Sequence, residues 1–308
     1  MDIKLIFKIY LIFGITFAYS QTYEDALRYN SYNHEGTSRF NSMGGAFGAL
    51  GGDLSSISIN PAGSSIFLDS EFGVTLNYKN QEIKNIFNNS KSLSKNDLLS
   101  YNNIGLVLVY GNNRSKFSLG YNMNRLNDYS SSFSFTGKNS IGIDSYFLDY
   151  STGVPSSNLS VFDGETIQSV YKALGDSYGY GDQQAFLGYQ SYLINQVDDL
   201  PNNYVSNALY SNVNQLLSID RKGDHLVHSL NLSTSYNDNI YLGLNLNFHS
   251  LEFEEYKFFK ESGYSSNSNV KRVQFEENLF SYGQGLSIQL GSLLKFDNLR
   301  IGLSYTSP

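Results

Sequence analysis

Apolar and polar residues alternate one for one along several stretches of this chain. Phe72, Val74, Leu76 and Tyr78 alternate with Gly73, Thr75, Asn77 and Lys79. Ile104, Leu106, Leu108 and Tyr110 form a second series, whose other face is blurred by Val107 and Val109. Phe117, Leu119, Tyr121 and Met123 alternate with Ser118, Gly120, Asn122 and Asn124. Leu226, Leu230, Leu232 and Tyr236 face away from Ser229, Asn231, Ser233 and Ser235. The same rule orders Ile240, Leu242, Leu244, Leu246 and Phe248, then Leu286, Ile288, Leu290 and Leu294, then Ile301, Leu303 and Tyr305. A period of two puts successive side chains on opposite faces of a strand. The pattern predicts about seven strands, each with one apolar and one polar face.

The composition of the polar face narrows the fold. It is mostly Gly, Ser, Asn, Thr and Gln, whereas a sheet facing bulk water usually carries more Lys and Glu. Small neutral polar residues suit a crowded, wet lumen, and the apolar face then meets lipid. Aromatics close several apolar series, at Tyr78, Tyr110, Tyr236 and Phe248, where an interfacial girdle would lie. The expected fold class is an all-β membrane protein, an outer-membrane antiparallel β-barrel.

The connections carry a second, independent pattern. Short turns are expected at Gly111 to Ser115, Asn237 to Asn239 and Phe296 to Asn298, all rich in Gly, Asn and Asp. Long connections are expected over Asn80 to Asn102, roughly Thr136 to Asp224, and roughly Glu261 to Asn269. Short periplasmic turns and long external loops alternate in outer-membrane barrels, which also sets the orientation. The connection from about 136 to 224 is too long for a bare loop. Helical spacing of apolar residues predicts helix in Thr166 to Leu174, Ala185 to Gln196 and Tyr204 to Leu217. Single-chain bacterial barrels have an even strand number. About seven strands, ending on Ser307-Pro308 rather than an aromatic residue, are expected to be a fragment of the barrel.

Residues 21 to 69 precede the first strand and do not alternate. Their centre is the glycine-rich run Met43-Gly44-Gly45-Ala46-Phe47-Gly48-Ala49-Leu50-Gly51-Gly52-Asp53. A phosphate-cradling loop would need a strand before it and Gly-Lys-Ser/Thr after it, and neither is present. Asp53 to Ile59 follows, then Asn60-Pro61-Ala62-Gly63. Proline fixes its own φ and holds Asn60 extended, and the Asn60 side chain can bond the nearby backbone and pin a turn. A compact segment of this kind fits inside a lumen as a plug, or stands outside as a periplasmic extension.

Composition agrees with export to a membrane. The 308 residues contain no Cys and no Trp but 25 Tyr and 21 Phe, and only 16% are charged. Lys4 and Lys8, the largely apolar run Leu5 to Ala18, and the small-x-small site Ala18-Tyr19-Ser20 read as a signal peptide over residues 1–20, leaving Gln21 at the mature N-terminus. The run is short for a spanning helix, which needs roughly 20 apolar residues. The leader holds Asp2, Lys4 and Lys8, so its removal takes the formal charge from −7 to −8. That charge argues against nucleic acid as a partner.

The glycine-rich Met43 to Asp53, the Ser55 to Ile59 stretch, Asn60-Pro61-Ala62 and the barrel strand that follows at once resemble the long-chain fatty acid transporter (FadL/TodX-type) family of outer-membrane proteins, in its Bacteroidota branch. The match is carried by about residues 36 to 79. The resemblance implies a fourteen-stranded barrel, of which about half is present here. Residues 21–69 would be an N-terminal hatch in its lumen, and residues 70–308 a partial transmembrane barrel with an external loop at about 136–224. It implies passive transport of hydrophobic compounds such as long-chain fatty acids, released by hatch movement and a lateral gap in the wall. By position, Asn60, Pro61 and Ala62 become hatch residues. Gly44, Gly45, Phe47, Gly48, Gly51 and Gly52 join them as the segment whose glycines would let the hatch shift. The implied partners are hydrophobic small molecules, outer-membrane lipid and lipopolysaccharide. Related barrels of the same branch serve protein secretion, so secreted protein cargo is the alternative partner. No external motif identifies a ligand pocket.

Candidate chemistry is sparse, and no enzyme activity, cofactor or metal site is expected. The histidines are His34, His225, His228 and His249. His225 and His228 fall on opposite faces of one strand and do not converge as ligands would. A serine hydrolase would need a positioned serine–histidine pair, and the sequence singles out none. Glu252, Glu254 and Glu255, and Glu276 and Glu277, are expected to be solvated charges near loops.

Overall fold

The structure, a computed structural model, describes residues 23–30, 35–112, 115–198 and 200–308. The expected signal peptide, its cleavage site and His34 lie outside the described residues. The strands are β1 (Glu71–Phe87), β2 (Ser90–Asn112), β3 (Ser115–Asp128), β4 (Ser131–Asn139), β5 (Ile194–Val197), β6 (Leu200–Ser206), β7 (Val213–Lys222), β8 (Asp224–Tyr236), β9 (Ile240–Ser262), β10 (Arg272–Lys295) and β11 (Arg300–Thr306). Seven of them form one antiparallel path, β1-β2-β3-β8-β9-β10-β11. These are the seven stretches in which apolar and polar positions alternate. β4 and β7 pair with each other, and β7 also joins β9. The sheet curls into a half-barrel.

The faces of this sheet are inverted relative to a soluble protein. Phe72, Leu76, Leu119, Leu230, Leu242, Ile288 and Leu303 are exposed on the convex face. Ser118, Asn122, Ser229, Asn231, Ser233, Asn245, Asn247 and Gln289 are buried on the concave one. Register keeps the convex band continuous: Ile240 pairs with Leu294 and Tyr236, and Phe248 with Leu286 and His228. The 24 residues of β10, at about 3.4 Å each, run to roughly 80 Å. That is far more than an apolar band of about 25 Å requires, so β10 extends well past it. Among the described residues no helix is long and apolar enough to cross a membrane.

Three expectations fail in the part beyond the band. Asn80 to Asn102 is not a long loop. β1 and β2 stay paired from Lys79 with Leu98 to Phe87 with Ser90, and the chain reverses over Asn88 and Asn89 at φ 44° and 69°. Consecutive positive φ values are what a tight hairpin turn demands, and asparagine tolerates them. Both faces of this arm are polar, so no apolar alternation marked it. The connection from 136 to 224 is likewise shorter than expected, because β4 and β7 flank it. Tyr204 to Leu217 is not helix: it spans the end of β6 and the start of β7. Its apolar residues satisfy helical spacing by coincidence of a hairpin end with a new strand.

Three helices occupy the remainder: α3 (Asp144–Ser151), α4 (Ile167–Ser177) and α5 (Tyr180–Gln190). Two short helices, α1 (Tyr23–Asn30) and α2 (Ser38–Ser42), come earlier. α4 begins with a reciprocal cap between Thr166 and Ser169, which satisfies two free ends of the first turn. The Ala185 to Gln196 expectation holds only to Gln190, where α5 gives way to β5. These elements form a cap with its own apolar clusters, one around Phe147, Leu193 and Ile194 and one around Leu159, Ala185 and Phe186. Glu261, wholly buried at the loop end of β9, ties the cap to the sheet. It accepts from the Ile143 amide (3.0 Å) and Gln215 Nε2 (2.7 Å), and from the Tyr264 hydroxyl.

Candidate functional site: the segment on the concave face and the loop-end pocket

Residues 36 to 67 lie against the concave face, and small wall residues make room for them. Pro61 stands where a Cβ on Gly243 would be, and Asn60 and Pro61 where one on Gly291 would be. The backbone at Gly48 likewise meets Gly302, and Leu54 meets Gly73 and Gly105. The segment thus touches strands from β1 to β11 along the sheet's path. Gly243 and Gly291 are required by this close approach, since any side chain would push the segment off the wall.

Two short 3-10 turns carry the contact surface, Leu54–Ser58 and Pro61–Ile66. Asp53 caps the first, accepting from the Ser55 amide at 2.9 Å. Asn60 caps the second: its Oδ1 accepts from the Ala62 amide at 3.1 Å, with Pro61 at the first position of the turn. Its Nδ2 donates to the carbonyls of Gly48 (2.8 Å) and Ser292 (3.0 Å). Wall amides reach in the other direction. Asn231 Nδ2 donates to Pro61 O (3.0 Å) and Asn245 Nδ2 to Ile57 O (2.8 Å). Gln289 Nε2 donates to the carbonyls of Ser58 and Ile59, both at 3.1 Å. The Ser64 hydroxyl meets Asn231 and Ser233.

Apolar contacts pin the segment at two places. Leu54, Ile57 and Phe67 pack on Val107, with Val109 beside them. The valines that blur the alternation of β2 are therefore inward anchors. Ala62 packs with Tyr241, Leu293 and Ile66.

The glycine-rich run divides into different roles. Gly44, Gly45, Gly51 and Gly52 have φ of 61°, 74°, 65° and 65°. Gly51 is also the point where Gly63 approaches, and a Cβ would stand 2.9 Å from its Cα. Gly48 differs: its φ is not positive, and a Cβ there would meet nothing within 4 Å. Phe47 is fully buried and stacks on Phe40 at 5.3 Å. The structure brings Gly48, Gly51, Gly52, Asn60, Pro61 and Ala62 together, whereas a Cβ at Gly44 would also meet nothing within 4 Å.

Above the segment lies a polar layer that the sequence did not reveal. Arg125 is buried between Asp128 (3.4 Å) and Asp224 (3.3 Å) and lies over the Tyr101 ring. His225 Nε2 lies 3.2 Å from His249 Nδ1, and His249 Nε2 lies 3.0 Å from Ser287 Oγ. His228 points to the other face, against Tyr121, as the strand period requires. Only the register of β8, β9 and β10 brings His225, His249 and Ser287 together. The third member of this row is a histidine, where a serine-hydrolase triad places a carboxylate. Among the described residues no group of three His, Asp or Glu side chains is placed to hold a metal.

At the loop end, a cavity of about 540 Å³ opens between α3, β4, β7, β9 and β10. Ile143, Tyr146, Leu217, Phe259 and Phe275 supply an apolar lining, and Lys257 and Glu277 stand at it as charges. Phe147 and Phe275 meet edge to face at 5.4 Å, a favourable aromatic geometry. Burial raises the phenol of Tyr146 to about 12, with Glu277 adding to the rise. Burial and the Glu277 carboxylate also raise Tyr180, which donates to Glu277. These phenols stay neutral donors. Beneath the pocket, Glu255 binds Arg221 (2.5 Å) and Lys257 (3.2 Å). Glu252 and Glu254 are exposed as expected, whereas Glu255 is buried and paired.

No protein-family model, curated protein or solved structure matches the chain.

Proposed function

We propose that this chain is the wall and plug of an outer-membrane barrel that passes hydrophobic compounds, of which long-chain fatty acids are one class. The observation that carries the reading is the inverted sheet. Its exposed apolar band would cost stability in water and gain it against lipid, while its polar concave face is covered by a segment of its own chain. In this reading residues 1–20 export the chain and are cleaved, and residues 36 to 67 act as the hatch that stops small solutes. The cavity lined by Phe259 and Phe275 collects the ligand from outside. Burying each methylene there gains about 0.8 kcal/mol, and Lys257 offers a partner to a carboxylate headgroup. The hatch would shift to let the ligand descend, and the wall would release it laterally.

The folded cap over residues 144 to 209 supports a second reading, a secretion-accessory barrel that holds protein cargo. Deleting the gene and measuring uptake of labelled long-chain fatty acids and aromatic hydrocarbons separates the two. Selective loss of one hydrophobic class supports transport. Normal uptake with altered secreted proteins supports the cargo reading.

A further inference from the structure

The turn after α5 holds a feature that neither wall nor plug uses. Leu193 N donates to Gly188 O (3.1 Å) and Tyr192 N to Tyr189 O (3.0 Å). Tyr192 closes the helix at φ 57°. This left-handed position is ordinarily filled by glycine or asparagine. A bulky residue there is a strained outlier. Burial would offset that strain, but Tyr192 is 76% exposed. The ring is held out in solvent at a cost that packing does not repay, and such strain clusters at ligand sites.

Beside it lies a cleft of about 300 Å³ lined by Tyr189, Gln190, Tyr192, Asn195 and Gln196. That volume is at the lower end for small-molecule clefts. Among the described residues the lining is two phenol rings and three carboxamides, with no charged side chain. Its parts are fixed. Gln190 Nε2 donates to Leu159 O (2.7 Å) and Asn195 Nδ2 to Asn207 Oδ1 (3.2 Å). Asn207 Nδ2 donates in turn to the carbonyl of Tyr192 itself (2.8 Å). Tyr189 is braced edge-on by Tyr204 at 6.0 Å. Rigid groups lose little freedom when a ligand arrives.

We propose that this cleft binds a neutral sugar ring, stacked on Tyr192 and hydrogen-bonded by the carboxamides of Gln190, Asn195 and Gln196. A pyranose has a C–H face that suits an aromatic ring, and a rim of hydroxyls that both donate and accept. Carboxamides do the same. An apolar ligand would use none of the hydrogen-bonding capacity that remains at Gln190, Asn195 and Gln196 beyond their contacts within the fold, and an anionic one would meet no cation among the described lining residues.

The test uses the full chain in detergent micelles and saturation-transfer NMR with methyl glycosides of glucose, galactose and mannose. A parallel arm compares vesicles of smooth and rough lipopolysaccharide. The decisive variant is Tyr192→Gly, which removes the platform and also relieves the positive φ. Transfer to at least one glycoside, or preference for smooth vesicles, is expected for the native chain. Tyr192→Gly should weaken it at least tenfold while its thermal unfolding temperature is unchanged or higher. Tyr192→Phe should retain binding. Free glycoside binding identifies a soluble glycan as the source; preference for smooth vesicles alone identifies the sugar chain of neighbouring lipopolysaccharide. Failure to bind either probe, or equal binding by Tyr192→Gly, overturns the proposal.

Discussion

Asn60 donates its side-chain amide to the carbonyl of Ser292, 232 positions further along the chain. The same Nδ2 holds Gly48, and the same side chain caps the turn at Ala62. One residue therefore shapes the segment on the concave face and fastens it to β10.

These two duties separate by mutation. Asn60→Asp keeps the oxygen that caps Ala62 but loses the donor, leaving the Gly48 and Ser292 carbonyls without it. Unsatisfied buried groups cost about 1–3 kcal/mol each. Hydrogen exchange of residues 48 to 63 should accelerate at least tenfold while the β9–β10 ladder keeps its protection. Unchanged exchange would remove Asn60 as the fastening.

Wall glycines should be less tolerant than the plug glycine. Gly243→Val and Gly291→Val would displace Pro61, so the lumen should leak small antibiotics while the barrel still inserts. A Cβ at Gly48 meets nothing within 4 Å, so Gly48→Val should leave the permeability barrier intact. Equal leakage from all three variants would contradict this assignment of close approach.

The convex band gives a test of location. Ile288 is exposed, and a lysine there would be nearly neutral in water. In a bilayer midplane it costs about 2–4 kcal/mol. Ile288→Lys should therefore lower the yield of inserted protein in lipid vesicles, measured by protease protection. Normal insertion would argue against lipid at this face.

Glu255 supplies a pH dependence. Burial works to raise its carboxyl, but Arg221 and Lys257 outweigh burial and hold it below its ordinary 4.5. A depressed acid contributes stability that is full above about pH 4.5 and is lost as pH falls through the folded value. Protection factors at Ile219 to Lys222 on β7, which correct for the intrinsic exchange rate, should fall on acidification below that range. Glu255→Gln should flatten the response.

The pocket should read ligand shape and charge separately. Phe275→Ala removes an aromatic pair, each worth about 0.5–1.5 kcal/mol, and should raise the KM for fatty acid uptake roughly twofold to tenfold. Lys257→Gln should weaken uptake of fatty acids but not of uncharged hydrocarbons. A parallel loss for both ligands would place Lys257 in a structural role through Glu255.

Sequence legibility followed the contrast between environments. Leu230, Leu232, Asn231 and Ser233 could be sorted because each face of β8 meets a single environment. The arm from Lys79 to Leu98 could not, since one face is mostly Gln, Asn and Ser and the other mostly Lys, Glu and Asp, with a few apolar residues on each. β7 was hidden because Leu216, Leu217 and Ile219 do not alternate. The glycines at 243 and 291 were visible as small inward residues. Their role was not, because it depends on which distant segment the register presents to them. The His225–His249–Ser287 row was hidden for the same reason.

The amide-lined inner wall has one more consequence. Asn231, Asn245 and Gln289 grip the plug by its backbone oxygens, and each of these bonds has an almost equal substitute in water. A plug held by interlocked apolar side chains would resist being drawn out until a large cavity opened. One held largely by amides can slide as water takes over each bond in turn, once the apolar contacts at Val107, Tyr241 and Leu293 and the close seats on the wall glycines are released. Under the proposed function, the surface that would seal the lumen would then also be its lubricant.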